Sequence, residues 1–206
     1  TTLALALTLF DINNDSQLDI LVGNDSALPD QAWMHQSSAW LAATPFARTG
    51  YSTRSFAWAD VDNNGVYELF ATDMKPYTTD AATLAAWQPV LLALEESTAT
   101  DDRQLLGNVL QMGNGVQGYT NRAVAWGVDA TGWSWSGQLG DLDNDGYLDL
   151  YVVNGMIDQA ALKHLPNQEL VEENQAFHNI GGARFALAAD WGLNATRSGR
   201  GMVIAD

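Results

Sequence analysis

The stretch DLDNDGYLDLYVVNG (residues 141–155) places four aspartates within nine residues and then continues as an apolar run of strand-forming side chains. Ionised carboxylates this close repel one another, so the stretch is costly without a cation. A hard divalent cation removes that cost because it takes six to eight oxygen ligands. The sequence therefore predicts a metal-binding loop that leads directly into a buried strand.

The same pattern occurs three times, at unequal intervals. DINNDSQLDILVGND begins at Asp11, DVDNNGVYELFATDM begins at Asp60, and the third copy begins at Asp141. A fourth copy would begin at Asp206, after GMVIA. Each copy follows a short β-type segment, and the spacing leaves room for about four strands per repeat. This is the size of a propeller blade with variable connections.

The three loops offer oxygen ligands at the same positions. Side-chain oxygens stand at positions 1, 3, 5 and 9, and position 7 offers its backbone carbonyl. Position 6 needs a sharp turn and is Gly65 or Gly146 in two loops, but Ser16 in the first. The candidate metal ligands are Asp11, Asn13, Asp15, Gln17 and Asp19; Asp60, Asp62, Asn64, Val66 and Glu68; Asp141, Asp143, Asp145, Tyr147 and Asp149; and Asp206 in the fourth copy.

An EF-hand begins with the same spacing but requires a bidentate glutamate at position 12 and flanking helices. Position 12 is Val22, Ala71 or Val152 here, each inside an apolar β-type run. The EF-hand is therefore excluded. The remaining alternative is a solvated acidic turn, which three copies in one register argue against. We expect about three calcium sites, with a fourth truncated at Asp206.

Composition restricts the class of partner. The net charge is −16 and the nine Lys and Arg residues form no cluster, so we expect neither nucleic-acid binding nor attachment to anionic membranes. No apolar run approaches the ~18 residues of a membrane span, so no membrane insertion is expected. The chain has no cysteine, which excludes disulfides and thiolate zinc sites.

One stretch departs from the β-type pattern. The segment TTDAATLAAWQPVLLALEES has helical spacing of Leu and Ala, cap candidates at Thr79 and Asp80, and Pro89 as a kink or restart. It predicts a partly helical insertion over residues 75–118 within one blade. Residues 1–206 as a whole are expected to be part of a single propeller, truncated at both ends.

The residues contain no catalytic constellation. His35, His164 and His178 stand far apart, no nucleophile-elbow or phosphate-loop motif occurs, and the clustered acids occupy metal positions. Trp133 and Trp135 alternate along a strand and favour packing between blades. The chain is therefore expected not to be an enzyme. The alternative is that it forms the propeller portion of a larger secreted enzyme whose catalytic site lies outside these residues.

The acidic loops and the GWSW element (residues 132–135) resemble the FG-GAP/VCBS repeats of integrin-α-like β-propellers. They are most similar to the bacterial ASPIC/UnbV and cartilage-acidic-protein group. The resemblance implies an all-β propeller of seven or a similar number of blades, with calcium in the acidic loops. It also implies an extracellular or periplasmic setting and a role in adhesion or in binding a protein or glycan ligand. The chain would then be a fragment of about three four-stranded blades.

Overall fold

A computed structural model describes residues 3–26, 28–97, 103–114 and 118–205, with only the backbone described at 95–97. The strands are β1 (Ala4–Phe10), β2 (Asp19–Asn24), β3 (Gln31–Gln36), β4 (Ala39–Ala43), β5 (Thr49–Gly50), β6 (Ser55–Ala59), β7 (Glu68–Thr72), β8 (Met74–Lys75), β9 (Gln104–Leu105), β10 (Val109–Gly113), β11 (Tyr119–Asn121), β12 (Gly132–Gly140), β13 (Asp149–Asn154), β14 (Met156–Ile157), β15 (Glu169–Leu170), β16 (Gln175–Asn179) and β17 (Phe185–Leu187). The helices are α1 (Ala81–Ser97) and α2 (Ala123–Trp126), with short 3₁₀ turns at Pro166–Gln168 and Ala189–Trp191.

Three antiparallel sheets contain most of these strands. The first sheet has the order β1-β2-β3-β4, and the second has β6-β7-β10-β11. The third sheet has β12-β13-β16-β17, and β8 pairs with the outer edge of β12. In each of these four-strand orders the strands stand in the sequence in which the chain makes them, although short strands and helix α1 intervene between β7 and β10 and short strands between β13 and β16. The fold of the described residues is therefore all-β and propeller-like.

The strands that follow the acidic loops occupy equivalent places. They are β2, β7 and β13, and each is the second strand of its own sheet. Each acidic loop connects the first strand of a sheet to this second strand. The three motif strands therefore lie in three separate sheets.

Alternation along the central strand β7 explains how the sheets stack. Leu69 joins the apolar cluster against the first sheet, whereas its neighbour Phe70 joins the cluster against the third. Successive strand residues point to opposite faces, so a sheet between two others must be apolar on both. The first cluster contains Ile12, Leu21, Ala32, Met34, Phe46 and Leu69, and the second includes Val61, Phe70, Leu110, Leu150, Val152, Phe177 and Phe185.

Helix α1 lies in the connection between the second and third strands of the second sheet. Asp80 caps its start, because one carboxylate oxygen accepts the backbone N–H groups of Ala82 and Thr83, both at 3.0 Å. Pro89 lies inside the single helix. Trp87 is fully buried and anchors a third apolar cluster that includes Trp133, which is 6% exposed. The predicted 75–118 insertion also spans β10, which is the third strand of the second sheet.

The outer strand of the first sheet leaves an apolar face uncovered. Leu7 and Leu9 of β1 are 68% and 53% exposed. The residues at the same distance before the second acidic loop, Phe56 and Trp58, pack against the cluster between the first and second sheets. The face that is buried in the second sheet is therefore open in the first.

Among the described helices, none is long and apolar enough to cross a membrane.

Candidate metal-binding loops

The aspartate at position 1 closes each acidic loop by the same pair of hydrogen bonds. In the third loop, Asp141 accepts the backbone N–H of Asp145 at 3.1 Å and that of Gly146 at 3.0 Å, one on each carboxylate oxygen. Asp11 and Asp60 accept the corresponding bonds from positions 5 and 6, at 2.9 and 2.7 Å in the first loop and at 3.0 and 2.8 Å in the second. The three loops therefore have one conformation.

This conformation requires a left-handed residue at position 6. The φ angle there is +66° at Ser16, +84° at Gly65 and +89° at Gly146. A side chain makes this region unfavourable, and serine lacks the freedom that glycine has. The first loop therefore adopts the shared turn with backbone strain that the other two avoid at this position.

The carboxylate at position 9 is fully buried in all three loops, at Asp19, Glu68 and Asp149. In each loop it accepts the backbone N–H of position 2, from Ile12 at 2.9 Å, Val61 at 3.0 Å and Leu142 at 2.9 Å. The two aspartates also accept a second N–H from the third strand of their sheet, from His35 and Asn179, both at 2.8 Å. Position 9 thus ties the loop to two strands.

The second loop leaves carboxylate oxygens unpaired. Oδ1 of Asp62 is buried and has no hydrogen-bond partner in the described structure, and Oε1 of Glu68 is buried and makes no hydrogen bond of normal geometry there. Burial raises the pKa of Glu68 to about 7, and the charges of Asp62 and Asp60 raise it further, against the backbone N–H groups of Val61 and Gly113, which lower it. Burial also raises the pKa of Asp62. Buried, unpaired and mutually repelling oxygens are the arrangement that a bound cation would stabilise.

The structure brings together many of the predicted ligands. The ligand atoms of Asp60, Asp62 and Glu68 lie within 4.8 Å of one another, as do those of Asp141, Asp143 and Asp145. Asp143 and Asp149 form a third such group with His178, which the sequence analysis did not select. These clusters offer enough carboxylates to hold a metal ion. The described residues of the first loop form no such group of three acids, since its position 3 is the amide of Asn13.

The remaining predicted ligands stand in the same loops, and Asp206 lies outside the described residues. The position-7 residues Gln17, Val66 and Tyr147 donate their backbone N–H to the side chain at position 5, at 2.9, 2.7 and 2.8 Å. These bonds fix the side chains of Asp15, Asn64 and Asp145. In a donor set made only of carboxylate, amide and carbonyl oxygens, the residues of the first and second loops fit a hard divalent cation.

The repeated loops, and the strands on either side of them, also carry the family signal. Residues 7–71 match the FG-GAP-like repeat. The match runs from β1 through both the first and the second acidic loop into β7. An FG-GAP repeat in this part of the chain agrees with the propeller-like fold. No curated protein matches the chain.

The far end of the sheets, opposite the acidic loops, holds a second repeated contact that sequence reasoning missed. At or just after the end of each motif strand, one residue donates its backbone N–H to a polar side chain that precedes the third strand. The pairs are Asn24 to Asp30 at 3.1 Å, Asp73 to Asn108 at 2.8 Å and Asn154 to Asn174 at 2.9 Å. The only sequence signal is an Asp or Asn before an ordinary strand, which is too common to be specific.

Two acids at the far end have strongly shifted titration. Burial raises the pKa of Asp30 to about 7, and hydrogen bonds from Asn24 and Thr53 oppose that rise. Burial likewise raises the pKa of Asp73 to about 6, although its carboxylate accepts the backbone N–H groups of Ser52, Met74 and Tyr51. Amides occupy the equivalent positions in the other repeats. The chain therefore uses mainly neutral groups at the far end.

Proposed function

We propose that this chain is the calcium-binding part of a non-catalytic β-propeller in an extracellular or periplasmic protein. Each four-stranded sheet is one blade, so the described residues supply about three blades. The role that fits is adhesion or the binding of a protein or glycan ligand. The observation that carries the proposal is the acidic loop repeated three times in one conformation, with its position-9 carboxylate buried at the start of a core strand.

The donor set and the position of the loops support calcium as the ion. Position 9 joins the loop to the sheet, so an ion held there would neutralise charge where the core begins. The ion would stabilise the fold by binding the folded state more tightly than the unfolded chain. An extracellular or periplasmic setting supplies calcium at the concentrations that such sites use, down to weak sites with dissociation constants of about 10⁻⁴ to 10⁻³ M.

Native mass spectrometry with calcium titration tests the proposal. We expect three bound ions, and we expect Asp60→Asn or Asp141→Asn to remove one ion each. Asp190→Asn is the matched control, because it removes the same charge from an exposed position outside the loops. Unchanged ion counts in both loop variants would refute the assignment.

The uncovered face of the first sheet supports the interpretation of the fold as a propeller. Leu7 and Leu9 stand at the places of Phe56 and Trp58, which another sheet covers. A sheet of the same kind is therefore the partner that this face fits. A longer version of the protein with an additional repeat before residue 1 should bury these leucines. Amide hydrogen exchange across β1 should slow in that version, and an unchanged rate would show that no further sheet covers this face.

A cleft between the first two loops supports the ligand-binding part of the proposal. Its volume is about 530 Å³, and its lining includes Phe10, Asn13, Asn14, Tyr67 and Tyr119. Tyr67 is half exposed and offers an aromatic face beside amide groups. Such a surface suits a sugar ring or a peptide aromatic group. On a glycan and peptide array, Tyr67→Ala should abolish binding, whereas Leu187→Ala, an exposed residue of the third sheet, should not.

A further inference from the structure

The third acidic loop has a neighbour that the other two lack. Asp30, Asn108 and Asn174 make equivalent hydrogen bonds before the third strand of their sheets. Four residues further along, the first two sheets have Met34 and Met112, whereas the third has His178. Repeats that share a backbone conformation thus differ here by one side chain that can bind a metal.

The imidazole of His178 already lies among the carboxylates of the third loop. Its Nε2 atom is 3.2 Å from Oδ2 of Asp143 and 3.4 Å from Oδ2 of Asp145. The ligand atoms of His178, Asp143 and Asp149 all lie within 4.8 Å of one another. Ligand atoms on one ion are separated by at most about twice a metal–ligand bond of roughly 2.0–2.5 Å. One ion can therefore contact these three groups without moving the strand.

Packing and hydrogen bonding hold this arrangement in place. The ring of His178 lies 5.5 Å from that of Trp191. The next residue, Asn179, donates its backbone N–H to Oδ1 of Asp149 at 2.8 Å. The strand that carries the imidazole is thus bonded to the carboxylate at position 9. A ligand fixed in this way loses little freedom when an ion binds.

We propose that His178 is an additional ligand of the third site and gives it a preference for a divalent transition metal such as Mn²⁺. The inference rests on the proposed function, because it assigns a ligand to one of the proposed metal sites. Carboxylates suit calcium and manganese alike, whereas an imidazole nitrogen favours first-row transition metals over calcium. The first and second loops offer only oxygen and remain calcium sites.

The test uses Mn²⁺ as the probe on the whole chain. With one equivalent of Mn²⁺, electron spin echo spectroscopy should detect the ¹⁴N of an imidazole bound to manganese. His178→Met, the residue that the other repeats use, should remove this signal and weaken Mn²⁺ binding at one site by about tenfold. Its calcium affinity in calorimetry should change by less than about twofold, which also shows that the variant is folded.

A histidine outside the loops provides the matched control. Nε2 of His164 lies 2.9 Å from the carbonyl oxygen of Ala86 in helix α1, so His164→Gln should leave the ¹⁴N signal intact. An absent ¹⁴N signal in the unchanged chain, or an unchanged ratio of Mn²⁺ to calcium affinity in His178→Met, overturns the role of His178. Either result with calcium still bound leaves the proposed function standing. A chain that binds neither ion overturns both.

Discussion

The two ends of the sheets differ in the side chain that bonds neighbouring strands to each other. At the loop end it is a buried carboxylate at position 9, whereas at the far end it is mostly an amide. Asp149, at the loop end, lies among other acids that crowd around one small volume. Asn154, five residues later on the same strand, is equally buried but accepts from Ser134 and donates to the carbonyl of Glu173. The amide of Asn154 is thus satisfied by protein groups alone, whereas the clustered charge around Asp149 is one that a bound cation would balance. Stability should therefore depend on metal at one end only.

The largest effect expected is that of calcium removal. A chelator should lower the unfolding temperature, because each ion bound at a thousandfold excess over its dissociation constant contributes about 4 kcal/mol to the free energy of unfolding. Thermal denaturation with chelator and after added calcium measures this effect. Sodium chloride at equal ionic strength should restore much less, since screening replaces no ligand. Superimposable curves with and without chelator would remove the distinction between the two ends.

Truncating an amide at the far end should lower the free energy of unfolding somewhat less than calcium removal does, and this loss should not depend on metal. Asn154→Ala leaves the carbonyl of Glu173 and the hydroxyl of Ser134 without this partner, so we expect a loss of about 2–3 kcal/mol in the free energy of unfolding. Chemical denaturation should give the same loss in calcium and in chelator. Asn194→Ala, at an exposed position, is the control. A loss seen only with calcium would mean that the ends are coupled.

Replacing the acid at the far end by the amide of the other repeats should change the pH dependence of stability. The folded-state pKa of Asp30 is raised from 3.8 to about 7. The contribution of Asp30 to the free energy of unfolding is thus fully present below about pH 4 and is lost as the pH rises towards 7. Asp30→Asn copies Asn108 and Asn174. As the pH rises from 5 to 8, the free energy of unfolding of this variant should rise relative to that of the unchanged chain by on the order of 2 kcal/mol.

Both proteins should be compared at the same calcium concentration, so that titration of the loops cancels in the difference. The charge of Asp73 faces Asp30 and raises its pKa. A difference between the two proteins that stays constant from pH 5 to pH 8 would show that Asp30 does not titrate in this range.

The smallest effect expected is at the turn of the first loop. Ser16 has a φ of +66°, where glycine is preferred, so Ser16→Gly should relieve about 1 kcal/mol and tighten calcium binding roughly five- to tenfold. Gly146→Ser should weaken the third loop by a similar factor. Calorimetric titration of both variants measures the two changes. We expect the order of affinity to be the third loop, then the second, then the first, and a first loop that fills before the third would contradict it.

The parts of the fold that local spacing determines could be predicted from the sequence. The three loops and the strands β2, β7 and β13 follow from carboxylates at odd positions and an apolar run, because all these residues lie within one short segment. The contact of Asp30 with Asn24 could not be predicted, because a single Asp before a strand has many other uses. His178 was missed for a related reason. It approaches Asp143 only when the third strand pairs with the second, and the sequence separation hides that pairing.

Main-chain hydrogen bonds at the far end of the sheets affect how the sequences of the repeats can diverge. The backbone N–H groups of Thr53, Ser134 and Gly199 donate to the carbonyls of Asn24, Asp73 and Asn154, at 3.1, 3.2 and 3.1 Å. Each donor stands at the same distance before an acidic motif, at Asp60, Asp141 and Asp206. Because main-chain atoms make these three bonds, Thr, Ser and Gly can each stand at the donor position. Duplicated repeats can thus accumulate substitutions at this joint while the joint itself is inherited unchanged.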